Sequence, residues 1–178
     1  ICRRQARVIC LAGPSSSGKT TVVQRLATQL EVNGLKPMIL NLDDYYRARD
    51  ELPFEEDGMQ DFESPQALEL SLLNQHLETF LQGQPIQIPR FDFVRGRRRD
   101  GEAGRTLQAE SNSVLLLEGL HALHPEISGG PLTQSSTFRI FVSALTQLVI
   151  DEHNRIQTSK VRLLRRIVRD RRYRGTPV

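Results

Sequence analysis

The sequence contains few of the residues that form covalent cross-links or metal clusters. It has no tryptophan and only two cysteines, Cys2 and Cys10, among 178 residues. Two cysteines are too few for a disulfide framework or a four-ligand zinc site, so we expect a cytoplasmic protein in a reducing compartment. No stretch approaches 18 consecutive apolar residues, which excludes a transmembrane helix over this sequence.

The composition is that of one globular domain. Hydrophobic residues make up 38% of the chain and charged residues 25%, which is enough for a packed core. We expect a single domain over residues 1–178, trimmed at its start because the sequence does not begin with methionine. The net charge is only +3, yet eight basic residues and a single acid lie between Lys160 and the end. Such a segment suits either nucleic acid or a phosphate ligand.

Apolar runs alternate with segments of helical spacing along the chain. Predicted strands cover residues 6–12, 38–42, 114–117 and 138–142, and predicted helices cover 19–33, 65–81, roughly 145–156 and 159–173. The alternating pattern at residues 86–93 predicts a half-exposed strand or hairpin before a basic turn. This order indicates an α/β fold with a parallel sheet and helices on both faces. Ligands are then expected at the carboxyl ends of the strands.

Residues 13–20, GPSSSGKT, match the phosphate-binding loop pattern G-x-x-x-x-G-K-[ST] between a predicted strand and a predicted helix. Backbone N–H groups of such a loop surround a phosphate, aided by the helix N-terminus. The predicted ATP-binding residues are Gly13, Ser15, Ser16, Ser17, Gly18, Lys19, Thr20 and Thr21. Lys19 is expected to reach the β- and γ-phosphates, and Thr20 to ligate Mg²⁺. The guanine motifs N-K-x-D and D-x-x-G do not occur, which argues against a GTPase.

Carboxylates follow two of the predicted strands at the edge where ligands are expected. Asp43 and Asp44 end the second strand, where a carboxylate could accept the proton of an attacking hydroxyl or hold Mg²⁺. The alternative is that the two aspartates only form a turn, where this residue type is common. Their position beside the phosphate loop favours a functional role. Glu118 ends the most hydrophobic strand, and we expect it to order the water shell of the metal.

The arginines near the end of the chain crowd one another on a predicted helix. Arg162 and Arg166 are four residues apart, as are Arg165 and Arg169, and like charges at this spacing repel. A bound polyanion would relieve the repulsion, so this helix is interpreted either as a lid over ATP or as a nucleic-acid surface. The low share of aromatic residues, 6%, and the confinement of basic charge to one helix and one turn weigh against nucleic acid.

Five further sequence blocks follow the phosphate loop: NLDDYYR at 41–47, DFESP at 61–65, PRFDF at 89–93, LEG at 117–119 and RLLRRIVRD at 162–170. In this order, and over residues 8–175, the chain resembles the uridine kinase/phosphoribulokinase family of P-loop kinases, and within it the bacterial uridine kinase-like branch. The phosphate loop alone is unspecific. The PRFDF and RLLRRIVRD blocks together are much more specific.

The resemblance implies a P-loop NTPase-type, doubly wound, mainly parallel sheet with an Arg-rich lid. It also implies phosphorylation of a nucleoside 5′-hydroxyl, uridine or cytidine, with ATP and Mg²⁺. Carried over residue by residue, Asp43 is the general base and a metal neighbour, and Glu118 is the acid near Mg²⁺. Lys19, Arg166 and Arg169 act on the transferred phosphoryl group. The substrate-binding residues are Tyr46, Glu63, Phe91, Arg169 and Arg174.

The sequence also departs from the family pattern. Glu63 replaces the usual aspartate of the ribose site, Phe91 replaces a tyrosine, and Gly96 occupies the place of a base-reading histidine in the animal enzymes, so the preferred base stays open. The chain also stops at Val178, where the family has a further helix, so we expect truncation at this end too.

Two alternatives remain at this stage. One is a kinase of the same family acting on another small hydroxyl acceptor, such as a sugar phosphate or pantothenate. The other is a non-catalytic protein that binds nucleotide or RNA. A small-molecule nucleoside is the expected partner, a membrane is not expected, and the formation of homo-oligomers is open.

Overall fold

The structure is a computed structural model, and it describes residues 6–52, 60–61, 63–99, 104–128, 132, 137–143, 148–149, 151–152 and 155–173. The described strands are β1 (Val8–Ala12), β2 (Lys36–Asn41), β3 (Ile86–Gln87), β4 (Phe91–Asp92), β5 (Arg97–Arg98), β6 (Thr106–Leu107), β7 (Ser113–Glu118), β8 (Thr137–Phe141), β9 (Leu148–Val149) and β10 (Arg155–Ile156). The helices are α1 (Lys19–Val32), α2 (Leu70–Leu81), α3 (Pro125–Ser128) and α4 (Thr158–Tyr173).

The central sheet is parallel, with strand order β2-β7-β1-β8. Every residue of β1 and β7 is buried, as expected for strands covered on both faces. Successive side chains of β1 point to opposite faces. Val8 and Cys10 join the core on the side of α2, whereas Ile9 and Leu11 join the core on the side of α1. The predicted doubly wound α/β fold is therefore confirmed.

The register of the sheet brings three strand ends to one edge. Leu11 of β1 and Asn41 of β2 both pair with Glu118, the last residue of β7. Since the three strands are parallel, the loops that leave them emerge side by side. These loops carry the phosphate-binding motif, the aspartates at 43–44 and the residues after Glu118, so the fold collects the predicted site. No helix in the described part of the chain is long and apolar enough to cross a membrane.

The helix predicted from residue 65 begins later in the structure. Ser64 does accept a hydrogen bond from the Gln66 N–H, but the turn that it caps is a short 3₁₀ turn, Pro65–Ala67. Leu68 is then extended and forms a β-bridge with Tyr46, and α2 starts at Leu70. The predicted start was wrong because this tertiary pairing outweighs the local capping preference.

The helix predicted over residues 145–156 is also wrong where the structure describes this segment. Leu148–Val149 and Arg155–Ile156 are antiparallel strands, and β-branched Val149 and Ile156 favour this extended form. Residues 144–147, 150 and 153–154 lie outside the described residues. The apolar residues at 148–150 are too few to distinguish the 3.6-residue period of a helix from the two-residue period of a strand, so their spacing did not decide between the two.

The segment 86–93, predicted as a half-exposed strand or hairpin, contains the two short strands β3 and β4. A hairpin forms between β4 and the predicted basic turn that follows it. β4 pairs with β5 in antiparallel register, and Asp92 Oδ1 accepts the N–H groups of Val94 and Arg95 at 3.0 and 3.1 Å. Gly96 closes the turn with φ +67°, a conformation that favours glycine. The hairpin therefore holds Phe91 and Phe93 on a short, constrained ribbon.

We predict that Leu77→Ala destabilises the protein by about 2–5 kcal/mol, because Leu77 is fully buried between α2 and the sheet and the substitution leaves a cavity. Urea unfolding measures the change. Val32→Ala is the control, since Val32 is 76% exposed and should change the free energy of unfolding by less than about 0.5 kcal/mol. Equal losses in the two variants would contradict the packing described here.

Candidate active site

The phosphate-binding loop joins β1 to α1 in a conformation that requires glycine at two positions. A side chain at Gly13 would bring its Cβ within 2.2 Å of the Val142 carbonyl oxygen, and Gly18 has φ +96°. Ser17 N–H donates to the Pro14 carbonyl at 3.1 Å, which tightens the turn. No side chain caps α1, and its first turn carries no acid. The positive end of this helix is therefore open to an anion.

A lysine, a threonine and two acids meet at the start of α1. The Thr20 hydroxyl donates a hydrogen bond to the Glu118 carboxylate, with Oγ1 3.2 Å from Oε1 and 3.4 Å from Oε2. Glu118 itself is only 6% exposed. Lys19 Nζ lies 3.2 Å from the Pro14 carbonyl oxygen. The Lys19 ammonium thus lies within the loop, next to the buried carboxylate.

The electrostatics of this cluster follow from burial. Burial is the main cause that lowers the pKa of Lys19, and the negative charges of Glu118 and Asp43 oppose the shift. Burial likewise raises the pKa of Glu118, against the Thr20 hydrogen bond and the Lys19 charge. The three ionisable groups are therefore close enough to influence one another: Lys19 favours the charged form of Glu118, whereas the like charge of Asp43 disfavours it.

Asp43 sits on the 3₁₀ turn Leu42–Tyr45, directly after β2. Asn41 Oδ1 accepts the Asp43 N–H at 3.0 Å and caps this turn. Gly119 allows the end of β7 to pack against the turn, because a Cβ there would approach Leu42 Cβ to 2.5 Å. These contacts fix the backbone that carries Asp43 beside Glu118.

Asp44 has a different environment from its neighbour. Its pKa is raised, mainly by burial, although its carboxylate accepts the backbone N–H of Phe91. It therefore ties the turn to β4, while Asp43 faces the cavity. The two consecutive aspartates thus have separate structural roles.

One cavity of about 880 Å³ extends from the phosphate loop to the aromatic hairpin. The predicted site residues that line it are Ser15, Ser16, Gly18, Lys19, Thr20, Thr21, Asp43, Tyr46, Glu63, Phe91, Glu118, Arg166 and Arg169. Ser17 is buried and does not line the cavity, and Gly13 packs against Val142, the residue after β8. Arg174 lies outside the described residues. The cavity is of the size that small-molecule sites usually have.

The arginine-rich helix α4 closes one side of the cavity. Arg162 Nε donates to the Ser15 carbonyl at 3.2 Å, which joins the helix to the phosphate loop. Further along, Arg166 Nη1 lies 2.8 Å from Glu63 Oε1. Arg169 is paired with Asp170 at 2.8 Å. Arginine side chains of α4 thus contact both the phosphate loop, at Ser15, and Glu63 elsewhere in the cavity lining.

Three aromatic rings form the wall opposite the phosphate loop. Phe91 and Phe93 are 5.1 Å apart, and Tyr46 lies 5.7 Å from Phe91 and 6.0 Å from Phe93. Edge and tilted geometries of this kind are favourable for aromatic pairs. The half-buried rings, inclined to one another, offer an apolar surface of ring faces and edges to a ligand.

Several lining residues were absent from the predicted site. They are Asn41, Arg49, Phe93, Leu120, Leu164, Arg165, Val168, Asp170 and Arg172. Helical spacing from Arg169 would have found Arg165 and Arg172, and strand alternation from Phe91 would have found Phe93. No local pattern marks Arg49, which reaches the cavity through a contact with the distant residue Gly96.

The comparison with known families decides the class of protein. The profile of the Phosphoribulokinase / Uridine kinase family matches residues 8–178. The chain belongs to this family. It is accordingly a kinase, and the expectation of an enzyme is confirmed.

Individual relatives agree with this assignment. The chain is 34% identical over 168 residues to a uridine kinase of Deinococcus deserti, covering 94% of this chain and 70% of the relative. It is 33% identical to a uridine kinase of Halobacterium salinarum, covering 94% and 64%. A solved structure described as a possible uridine kinase from Bacillus stearothermophilus superposes with a TM-score of 0.60 at 19% identity, covering 76% of this chain and 70% of that one. This last likeness concerns the fold alone.

The oxygen atoms at the start of α1 fit a magnesium ion delivered with a nucleotide. The described residues contain no group of three His, Cys, Asp or Glu side chains that could hold a metal ion by themselves. Mg²⁺ in kinases needs no such cluster, because it binds through one or two protein oxygens, water and the substrate phosphates. The Thr20 hydroxyl and the buried Glu118 carboxylate, 3.2 Å apart, supply that type of donor.

We predict that Glu118→Gln makes the ligand-free kinase more stable at pH 7. The folded protein raises the pKa of Glu118, so the charged carboxylate lowers the free energy of unfolding at every pH above that raised pKa. The gain in melting temperature should shrink as the pH falls toward about 4, where glutamate is protonated in both states. Glu31→Gln, on the exposed face of α1, is the control. The burial argument would be refuted if the difference in melting temperature between Glu118→Gln and the wild type did not depend on pH. It would also be refuted if Glu118→Gln were less stable than the wild type at pH 7.

Proposed function

We propose that this kinase transfers the γ-phosphoryl group of ATP to the 5′-hydroxyl of a pyrimidine nucleoside. One observation carries the proposal: Lys19 of the phosphate loop, Asp43 and the aromatic wall line a single cavity. A triphosphate on the loop would then meet a hydroxyl at Asp43 while a base rests on the rings of Tyr46, Phe91 and Phe93. The names of the relatives support a nucleoside as the acceptor.

Asp43 is proposed as the general base. Its carboxylate accepts the proton of the 5′-hydroxyl as the hydroxyl oxygen bonds to the γ-phosphorus, and the bond from the γ-phosphorus to the oxygen bridging it to the β-phosphorus breaks to release ADP. The Asn41 cap on its backbone holds Asp43 at the strand end. Such a fixed position matters because phosphoryl transfer depends mainly on alignment and electrostatics.

Cationic side chains are proposed to offset the charge of the migrating phosphoryl group. Lys19 lies at the loop, and the positive charges of Arg169 and Arg162 act on it from α4. Thr20 and Glu118 would hold Mg²⁺ at this end of the cavity, where its charge would offset part of the negative charge of the phosphates. Lid arginines that enclose the phosphates also keep water from competing with the acceptor hydroxyl.

Glu63 and Arg166 are proposed to bind the sugar of the acceptor. They form an ion pair across the cavity mouth, with side chains 58% and 48% exposed. An exposed pair of this type contributes little to stability, so its partners can turn toward a ligand at small cost. The carboxylate accepts hydrogen bonds from sugar hydroxyls, and the guanidinium donates to them.

We predict that Asp43→Asn lowers kcat with uridine by at least about 100-fold, the usual contribution of a general base, while the affinity for ATP stays nearly unchanged. Acceptor-dependent ADP release with uridine, cytidine and no acceptor measures turnover, and calorimetric titration measures ATP binding. Asp50→Asn is the matched control, because Asp50 is exposed and lies outside the cavity lining. Full turnover by Asp43→Asn would defeat the assignment of the base. ADP release that neither nucleoside stimulates in the wild type would defeat the proposed acceptor.

We predict that Glu63→Ala raises the KM for uridine by about tenfold or more, the effect of losing hydrogen bonds to a charged group. The KM for 2′,3′-dideoxyuridine, which keeps the 5′-hydroxyl but lacks the two others, should change little. Steady-state kinetics with both nucleosides measures the difference. An equal rise for both compounds would mean that Glu63 does not bind these sugar hydroxyls.

A further inference from the structure

Arg49 occupies space that a side chain at position 96 would otherwise fill. The backbone N–H of Arg49 donates to the Gly96 carbonyl at 2.9 Å, which brings the two segments together. A Cβ at Gly96 would lie 2.4 Å from Arg49 Cδ and 2.6 Å from Nε. The side chain of Arg49 therefore crosses directly over the glycine, and any larger residue at position 96 would displace it.

The path of this side chain leads to the acceptor end of the cavity. Arg49 Nη2 donates to the Phe93 carbonyl at 3.1 Å, so the guanidinium lies at the rim of the aromatic wall. Arg49 also lines the cavity, together with Tyr46, Phe91 and Phe93. The phosphate end has other cations, since the positive charges that act on Lys19 are those of Arg162 and Arg169.

A guanidinium at the edge of an aromatic surface has a specific chemistry. A guanidinium group donates hydrogen bonds and accepts none, and its N–H groups point outward in the plane of the group. The edge of a stacked pyrimidine presents carbonyl oxygens that accept such bonds. A cation that selected phosphate would instead be expected at the loop and the lid.

We propose that Arg49 is a specificity-determining residue that donates a hydrogen bond to a carbonyl oxygen on the edge of the acceptor base. This inference rests on the proposed nucleoside kinase function and extends it, because it assigns a reader of the base to a residue outside the predicted site. Uracil and cytosine share the oxygen at C2, and only uracil has one at C4.

The test is steady-state kinetics of Arg49→Met with uridine, cytidine and ATP. Methionine keeps an apolar stem over Gly96 and removes the guanidinium. The KM for uridine should rise about tenfold to hundredfold, as for a lost charged hydrogen bond, while the KM for ATP and the melting temperature stay at wild-type values. Arg49→Lys keeps the charge without the fork and should give an intermediate KM. Arg95→Met is the matched control, since Arg95 is exposed in the β4–β5 hairpin next to Gly96 and lies outside the cavity lining.

The outcomes separate the inference from the proposed function. If Arg49→Met has a higher KM for both uridine and cytidine, the result supports a contact at the C2 oxygen. A higher KM for uridine alone supports a contact at the C4 oxygen. An acceptor KM in Arg49→Met within twofold of wild type overturns the inference while the nucleoside kinase function stands. A fall in kcat together with a higher KM for ATP would also overturn it, since that pattern indicates a structural role. If neither nucleoside stimulates ADP release by the wild type, the proposed function itself fails.

Discussion

The half-buried ammonium of Lys19, held near the carboxylates of Glu118 and Asp43, is the interaction on which the site depends. Burial disfavours the charged form of Lys19 and of Glu118, and each opposes the shift in the other. Without the lysine, Glu118 would be a buried acid with only the Thr20 hydroxyl to stabilise its charge. Without the carboxylates, the cation would lose the interactions that keep it charged in the loop. The lysine and the carboxylates are therefore brought together before any ligand binds, which is the preorganisation that phosphoryl transfer requires.

This cluster exists because parallel strands end together. The register that pairs Asn41 and Leu11 with Glu118 places three loops at one edge of the sheet. Both faces of the sheet are covered by apolar side chains, which makes the position of each strand end stiff. Helix α4 differs from the sheet, because it touches the remaining structure through exposed arginines such as Arg166. The sheet edge is therefore the rigid part of the site, and α4 completes the cavity through Arg162, which donates to the Ser15 carbonyl.

The acceptor end is built from chain segments that are distant in sequence. Asp44 accepts the backbone N–H of Phe91, so the turn that carries Asp43 is joined directly to the ribbon that carries Phe91 and Phe93. Gly96 contributes by having no side chain, because the space above it is where Arg49 passes. This end of the cavity is thus shaped by contacts made far from the phosphate loop.

The sequence by itself determined the fold class, the phosphate loop and the carboxylates at 43 and 118, because apolar runs and the spacing of glycine, lysine and threonine are local patterns with a direct physical meaning. It also marked the arginine-rich helix. Only the tertiary structure decided that α2 begins after a bridge between Tyr46 and Leu68, and that Asp43 and Asp44 face different surroundings. It alone brought Arg49 over Gly96 into the cavity. These features depend on contacts between residues far apart in the chain, and such contacts can override or supplement local preference without leaving any periodicity in the sequence.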